Sequence, residues 1–388
     1  MIVNFDFLDT EPIENVITNL NFKVDRTVYF GYSDVIRDQR PILEGFLKEH
    51  CDGQDVDFIA LPRRKLKDTL EIMREAVTAE KEAGNKVFFD ITGGDSLPMV
   101  AFGILSTETD TPMHIYNIER NRLMEQDEGA EDEISKMVAR RNVDFNIDMY
   151  MQLRGCAVSS YSKSKNPETE SDIENAEKLI EIFERHSNEW TRLTAAVGSN
   201  VVNDGDGYYH VDYNKVADMF YPGMVTKVKS LMSELDQCGL VELFPHERGI
   251  RQFTFKNNNV RQNIIEEGAA LEIKTCLELR EKYSHVKAGV AVDWNDIHNE
   301  DIDVMNEIDI MALDGFTPII VSCKCGNQAD RDALYELDTV AKKFGGKYAK
   351  KVFVSAKNMT PVDKRRASEM GIDVQILNKD VTVKNYND

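Results

Sequence analysis

The sequence has no run of eighteen apolar residues, so it does not predict a membrane-spanning helix. It also lacks CxxC pairs and any histidine and cysteine cluster with the spacing of a zinc site. The cysteines are scattered, and the closest two are Cys323 and Cys325. We interpret them as reduced thiols of a cytoplasmic protein. The N-terminus, MIVNFDFLDT, lacks the basic residues of a secretory signal peptide and predicts a first β-strand.

Positive charge is also scarce, since 47 Lys and Arg against 68 Asp and Glu give a formal net charge of −21. Phosphate binding needs Lys and Arg, so this balance argues against a general nucleic-acid coat protein. It does not exclude a nuclease, whose catalytic carboxylates add negative charge themselves. Residues 342–366 form one basic segment, and a solvated helix face is the simpler interpretation of it.

The length of 388 residues allows two or three domains. Strand and helix patterns alternate through residues 1–120, which predicts a doubly wound, mostly parallel sheet. The expected strands are 2–7, 27–31, 57–60, 86–90 and 113–117. We expect an exposed loop at the acid-rich run 125–133 and a linker at the polar stretch 160–174. We therefore place the first domain at residues 1–160.

Residues 161–260 are predicted to form a linker and a small helical connector. A helix ending near Gly239, followed by two strand-like runs around a turn at 245–249, is typical of a winged helix. A connecting subdomain without nucleic-acid contact is the alternative. Residues 261–388 show a helix at 261–283, strands at 286–294, 304–313 and 316–325, a helix at 330–344 and a strand at 351–355. This αβββαβ order is that of restriction-endonuclease-like folds.

The strongest functional pattern lies in residues 306–326, NEIDIMALDGFTPIIVSCKCG. Asp314-Gly315 predicts a two-residue hairpin turn that sets Leu313 against Phe316. Counted back from that turn, three further pairs are expected: Asp309 with Ile320, Glu307 with Ser322, and Met305 with Lys324. Because strand side chains alternate, two acids, a serine and a lysine share one face: Glu307, Asp309, Ser322 and Lys324. Buried charges are costly unless paired or bound to metal, so this face is a candidate catalytic centre.

The preceding helix adds another acid. Its apolar stripe has 4-3-4-3 spacing and consists of Ile265, Ala269, Glu272, Cys276 and Leu279. Glu272 lies at the centre of that stripe, whereas Glu266 and Glu267 are expected to point elsewhere. An acid within a core-facing stripe is a candidate metal ligand.

Asp309, followed thirteen residues later by Ser322-x-Lys324, resembles the PD-(D/E)xK nuclease motif. The resemblance implies that Glu272, Glu307 and Asp309 bind Mg²⁺ or Mn²⁺. It also implies that Lys324 orients or activates the attacking water. Ser322 stands where the family usually has an acid, and Glu272 and Glu307 could supply the missing carboxylate. The candidate catalytic residues are Glu272, Glu307, Asp309, Ser322 and Lys324.

A second pattern, DITGGDS at residues 90–96, joins the fourth predicted strand to a helix-like run. A glycine pair there lets backbone N–H groups approach an anionic ligand, although a plain tight turn is the alternative. Ligands of doubly wound sheets bind at the carboxyl ends of the strands. The candidate ligand-binding residues come from three such loops: Leu8, Asp9, Thr10, Tyr32, Ser33, Thr92, Gly93, Gly94, Asp95 and Ser96.

An N-terminal α/β domain with D-x-TGG after its fourth strand resembles the CARF domains, which sense cyclic oligoadenylate in type III CRISPR defence. With the C-terminal motif, the chain resembles the CRISPR ancillary nucleases of the Can2/Card1 type. That implies a homodimer in which two CARF domains bind one cyclic tetra- or hexa-adenylate, the tetra-adenylate being favoured. Binding would activate cleavage of DNA, RNA or both. Asp95 and Ser96 stand where the family often has Thr and Lys.

Two other functions fit parts of the sequence. A transcription regulator would combine the sensor with a DNA-binding winged helix and a degenerate C-terminal domain. Ser322 favours that reading, whereas Asp309, Lys324 and Glu272 oppose it. A ring nuclease would cleave the activator in the N-terminal domain, and no residue isolates that activity.

Overall fold

The computed structural model describes residues 1–124, 133–205, 209–246, 249–293, 305–326 and 331–377. Within these ranges, no helix is both long and apolar enough to cross a membrane. The acid-rich run 125–133 and the turn at 247–248 lie outside the described residues, apart from the backbone of Glu133, where a helix begins.

The N-terminal domain is a parallel sheet with strand order β3-β2-β1-β4-β5, as the alternating patterns predict. Its elements are β1 Ile2–Phe7, α1 Pro12–Asn21, β2 Arg26–Gly31, α2 Ser33–His50, β3 Asp55–Ala60, α3 Leu66–Glu82, β4 Lys86–Asp90, α4 Ser96–Thr109 and β5 Met113–His114. The central strand β1 is buried from Val3 onward because helices cover both faces of the sheet. One of those faces packs aromatic rings together, including Phe5, Phe30 and Phe89.

The predicted strand at 113–117 is confirmed only at Met113–His114, because the chain leaves the sheet after His114. The Tyr116 N–H donates to Thr92 Oγ1 (3.0 Å) instead of to a neighbouring strand. Residues Tyr116–Asn117 form β6, which pairs antiparallel with β7, Arg122–Leu123. A side-chain acceptor has therefore ended the main-chain ladder.

The middle of the chain contains the predicted helix and hairpin. Its elements are α5 Glu133–Met137, α6 Ile147–Leu153, β8 Ala157–Tyr161, α7 Glu170–Arg185, α8 Ser187–Gly198, β9 Val201–Asn203, β10 Tyr209–Asp212, α9 Tyr213–Asp218, α10 Pro222–Gln237, β11 Val241–His246, β12 Gly249–Phe255 and α11 Asn258–Ile265. Helix α10 ends before Gly239, whose φ of +70° suits the left-handed position that closes a helix. Strands β11 and β12 then extend a sheet of order β11-β12-β10-β9.

The polar stretch 160–174 does not run through solvent as a linker would. Strand β8 pairs with β13 in the C-terminal sheet, and Lys165 and Asn166 after it are buried. Asn166 donates to the Ala288 carbonyl (2.7 Å) and accepts from the Ala288 N–H (2.9 Å). Composition could not predict this packing, because it depends on polar atoms that find partners in distant strands.

The C-terminal domain has the predicted αβββαβ order. Its elements are α12 Ala269–Arg280, β13 His285–Asp293, β14 Met305–Asp314, β15 Thr317–Lys324, α13 Arg331–Val340, a π-helical turn Ala341–Gly345, β16 Lys350–Ser355, α14 Pro361–Glu369 and β17 Ile372–Ile376. The strand order is β17-β16-β15-β14-β13-β8. The single helix predicted at 261–283 is wrong, because the chain breaks it at Gly268, where φ is +97°.

Two apolar cores enclose this sheet. Met311 and Ile320 face a core that continues through α6 into the N-terminal domain. Ile310 and Val321 face a second core, shared with the middle helices. Both faces of the central hairpin are thus buried, which fixes the strand ends that carry the candidate catalytic residues.

Candidate functional site

The hairpin of β14 and β15 has a different register from the predicted one. Asp314 pairs with Thr317, and Gly315 and Phe316 form the turn, with φ of +60° at Gly315. The prediction was therefore wrong by two residues, because it placed the turn at Asp314-Gly315. An even shift preserves the alternation of faces, so the grouping of the acids with the lysine does not depend on that error.

The two strands separate where the candidate acids begin. Their ladder ends at the pair Ile310 and Val321. Beyond it, Asp309 Oδ2 accepts hydrogen bonds from the Cys323 N–H (2.8 Å) and from Ser322 Oγ (3.2 Å). The Asp309 carboxylate accepts the Cys323 N–H in place of a main-chain carbonyl. These bonds fix Asp309 at the fork, the point where β14 and β15 separate.

The fork opens into a cavity of about 740 Å³. Four predicted residues meet in its lining: Glu272 from α12, Glu307 and Asp309 from β14, and Lys324 from β15. Ser322 is not among the described lining residues and contacts the site only through Asp309. The basic segment 342–366 contributes no described residue to the lining.

Glu266 and Glu267 also line the cavity, against the expectation that they point elsewhere. The expectation assumed that residues 261–283 form one continuous helix with a single periodicity. Helix α11 ends at Ile265 and α12 starts at Ala269, so both acids lie in the break between the helices. The periodicity does hold within α12, where Glu272, Cys276 and Leu279 are buried on the stripe.

Lys165 also lies among these acids, although the sequence did not predict it there. Its Nζ lies 2.5 Å from Glu266, 2.8 Å from Glu272 and 3.4 Å from Glu307, and its side chain is 3% exposed. Burial raises the pKa of Glu272 to about 7, with the charge of Lys165 opposing that rise and the charge of Asp309 adding to it. A lone lysine in a polar stretch gave no signal that could have found it.

Lys324 is the second lysine of the cavity lining. Its Nζ lies 3.8 Å from Asp309 Oδ2, and its side chain is 37% exposed. An ion pair that long and that open to solvent is weak. The amine can therefore turn toward an anion in the cavity.

The donor chemistry of the cavity fits a divalent ion. Mg²⁺ and Mn²⁺ prefer carboxylate oxygens, and Glu272, Glu307 and Asp309 present them to one space. Among the described residues, however, no three His, Cys, Asp or Glu side chains are grouped at metal-binding distances. The ammonium of Lys165 lies between Glu272 and Glu307 instead, as the cation that neutralises them.

The predicted ligand-binding residues meet at the carboxyl edge of the N-terminal sheet. Strand β1 lies between β2 and β4, so the loops after these three strands are neighbours. Tyr32 Oη donates to Asp95 Oδ2 (2.8 Å), and its ring packs edge-on against Phe7. A side chain on Gly93 would overlap Glu14, and Gly94 has a φ of +136°.

Many polar groups at this edge are bound to one another. Thr92 Oγ1 accepts the Tyr116 N–H, and Asp95 caps α4 by accepting the Ser96 N–H (2.7 Å). Asp9 accepts the Glu11 N–H (3.1 Å), which closes the loop after β1. Leu8 is buried, whereas Thr10, Ser33, Asp95 and Ser96 are exposed.

Arg63 is a cation at the same edge that sequence reasoning did not select. Its guanidinium lies 4.1 Å from the centre of the Tyr32 ring and 2.7 Å from Asp34. The signal was present in the three consecutive basic residues, 63–65, that follow β3. The guanidinium of arginine can donate two parallel hydrogen bonds to one phosphate, so this side chain suits an anionic ligand.

Residues 260–384 match the family described as the Card1-like endonuclease domain. No curated protein matches the chain by sequence.

Solved structures share the fold over nearly the whole chain. Protein VC1899 from Vibrio cholerae has a TM-score of 0.73 at 16% identity, covering 97% of this chain and 94% of its own. Can2 from Sulfobacillus thermosulfidooxidans, solved with cyclic tetra-adenylate, has a TM-score of 0.66 at 15% identity, covering 96% and 93%. A type III CRISPR defence DNA nuclease activated by cyclic oligoadenylate has a TM-score of 0.51 at 13% identity, covering 91% of this chain and 45% of its own.

Proposed function

We propose that this chain, a protein of the Can2/Card1 type, is a metal-dependent nuclease of type III CRISPR defence that cyclic oligoadenylate activates. The observation that carries the proposal is the meeting of Glu272, Glu307, Asp309 and Lys324 in one cavity of the domain that matches an endonuclease family. The proposed substrate is DNA, RNA or both, and the proposed location is the cytoplasm.

Each residue of the cavity has a separate proposed role. Glu272, Glu307 and Asp309 would hold Mg²⁺ or Mn²⁺, which supplies an activated water and stabilises negative charge on the phosphate. Lys324 donates to the attacking water or to a phosphate oxygen, as its exposed amine allows. Ser322 positions Asp309 through its hydroxyl rather than binding the ion itself.

The activator is proposed to bind at the carboxyl edge of the N-terminal sheet. The proposed ligands are the candidate residues of the three loops, and Arg63 is proposed as a further phosphate ligand. The glycine pair Gly93-Gly94 precedes α4, so backbone N–H groups near the start of that helix would meet the anion. Two copies of the chain would bind one cyclic tetra-adenylate on the two-fold axis of a homodimer.

Cleavage assays test this function directly. Purified protein is incubated with Mn²⁺ and plasmid, single-stranded DNA or RNA, with and without cyclic tetra- and hexa-adenylate. We expect activator-dependent cutting that Asp309→Ala and Lys324→Ala abolish. Lys287→Ala is the matched control, because Lys287 lies on β13 outside the cavity lining and pairs with Glu168. Cutting that survives in both cavity variants would refute the proposed centre.

A transcription regulator is the second candidate, favoured by the winged-helix arrangement of α10 with β11 and β12. Helix α10 would be the recognition helix, but its two lysines are balanced by two acids. Phosphate binding needs an excess of positive charge, so this helix is poorly suited to it. Sequence-specific duplex binding without cutting, measured in the same samples, would favour the regulator.

A further inference from the structure

The side chain of Lys165 joins three acids that come from separate parts of the chain. Glu266 lies in the break between α11 and α12, Glu272 lies in α12, and Glu307 lies in β14. The ammonium is within 3.4 Å of all three. Without it, the buried Glu272 would face the neighbouring acids with no compensating charge, at considerable cost.

A divalent ion held by Glu272 and Glu307 would need the carboxylates that the Lys165 ammonium occupies at this position. Both carboxylates already point at one cation, and both belong to the proposed metal-binding set. An ammonium donates hydrogen bonds to the oxygens that a metal ion would accept as ligands, so the two cannot occupy the position together. We propose that Lys165 is the resident counter-ion of the nuclease centre, which holds Glu272 and Glu307 together and moves aside when a divalent ion binds.

The surroundings of Lys165 allow such a movement without unfolding. The adjacent backbone is anchored, because Asn166 binds the Ala288 main chain and Arg280 donates to the Pro167 carbonyl (2.8 Å). The lysine stem itself has four rotatable carbons and can swing independently. Glu266 is 45% exposed at the edge of the cavity, so it can keep the ammonium as that group moves toward solvent.

This inference rests on the proposed metal site, and Mn²⁺ binding in the absence of nucleic acid and activator tests it. Free Mn²⁺ is counted by electron paramagnetic resonance in full-length wild type, Lys165→Met, Lys165→Arg and Lys287→Met, at about pH 8.5, where carboxylates are ionised. We expect Lys165→Met to bind Mn²⁺ about tenfold more tightly, since a competing charge-assisted contact is gone. Lys165→Arg and Lys287→Met should bind as the wild type does.

A second measurement uses only the wild-type protein, in case Lys165→Met does not fold. Reductive methylation of lysines is quantified by mass spectrometry with and without saturating Mn²⁺. We expect methylation of Lys165 to rise several-fold with Mn²⁺, while that of Lys287 does not change. Equal or weaker Mn²⁺ binding in Lys165→Met, or methylation of Lys165 that Mn²⁺ leaves unchanged, would overturn the inference.

Two further variants separate failure of this inference from failure of the proposed function. If Asp309→Ala and Glu272→Gln both bind Mn²⁺ as wild type does, the proposed metal site is wrong, and the inference is overturned with it. If both variants lose Mn²⁺ binding while Lys165→Met gains none, the metal site stands and only the role of Lys165 is refuted.

Discussion

The cavity of the C-terminal domain and the carboxyl edge of the N-terminal sheet differ in how their polar side chains are arranged. In the cavity, acids from several elements face one space and are held by Lys165 and by main-chain donors. At the sheet edge, Thr92, Asp95 and Tyr32 are hydrogen-bonded to one another or to the local backbone. The first region gathers its acids around one cavity, whereas the second holds its polar side chains in local contacts, with Arg63 as a nearby cation.

This difference explains why one region is easier to recognise than the other. Charge in a partly buried place is expensive, so a cluster of acids indicates a bound cation or a catalytic role. A site that binds an anion through glycine backbone leaves no such mark, because any tight turn has similar residues. Substitutions that remove a charge should therefore test the cavity, and substitutions that add side-chain volume should test the sheet edge.

The largest effect is expected from charge removal at the fork. Asp309→Asn preserves the shape of the side chain but removes the charge, and we expect activator-dependent cleavage to fall by at least about a hundredfold. Single-turnover cleavage and thermal unfolding are measured together. Asp332→Asn is the matched control, because Asp332 lines the same cavity with an 83% exposed side chain outside the proposed set. Comparable losses in both variants would mean that total charge, rather than Asp309, supports cleavage.

The next effect tests the edge by shape. A methyl group at Gly93 would overlap Glu14, whose carboxylate binds Lys347 of the C-terminal domain (2.8 Å). We expect Gly93→Ala to lower the free energy of unfolding by about 1–3 kcal/mol through overpacking. Activator-dependent cleavage should fall about tenfold or more, since the disturbed loop is proposed to bind the activator. Urea unfolding and cleavage over a range of activator concentrations measure the two effects.

Gly103→Ala is the control for this prediction. Gly103 lies within α4, where an added Cβ would meet nothing within 4 Å. The substitution should stabilise the chain by about 0.5–1 kcal/mol, because alanine loses less backbone entropy in a helix. If Gly93→Ala behaves as Gly103→Ala does, the loop has more room than its contact with Glu14 implies.

A smaller and graded effect is expected from pH. Burial raises the pKa of Glu272 to about 7, so its carboxyl holds a proton at lower pH. Since a metal ion binds the carboxylate, Mn²⁺ affinity should fall by up to about tenfold per pH unit below pH 7. The metal-free fold should conversely lose stability as pH rises from about 4.5 to 7, because the folded carboxyl keeps its proton longer than the unfolded one.

Mn²⁺ titrations between about pH 6 and 8 check this prediction, with Glu272→Gln as the comparison. The variant has no proton to release at this position, so its weaker affinity should vary less with pH. An equally steep dependence in the variant would assign the proton to another group.

The strand and helix order of the two sheet domains could be predicted from sequence, because alternation and apolar runs report burial directly. The grouping of Glu307, Asp309 and Lys324 was also predictable, and it was insensitive to the two-residue error in register. What failed depended on single contacts. The Thr92 hydroxyl accepts the Tyr116 N–H, and the strand of the sheet ends at His114. Gly268 breaks a helix, and Glu266 and Glu267 in the break line the cavity.

Lys165 shows the limit of sequence reasoning more sharply. Its role depends on β8 pairing with β13 across more than a hundred residues of chain, and on Asn166 anchoring the turn that follows. Neither feature has a local pattern. The polar residues of 160–174 indicated a linker, yet one of them, Lys165, is buried because acids from distant elements pair with it.

The smallest effect concerns Ser322, the residue that departs from the expected motif. Its hydroxyl donates to Asp309 Oδ2 at 3.2 Å, while the shorter bond from the Cys323 N–H remains without it. We expect Ser322→Ala to lower cleavage about two- to fivefold, because only the longer of the two hydrogen bonds to Asp309 is lost. Mn²⁺ affinity should barely change. If Ser322→Ala loses as much cleavage as Asp309→Asn and also loses Mn²⁺ binding, then Ser322 binds the ion directly. The proposed role of Ser322 in positioning Asp309 would then be wrong.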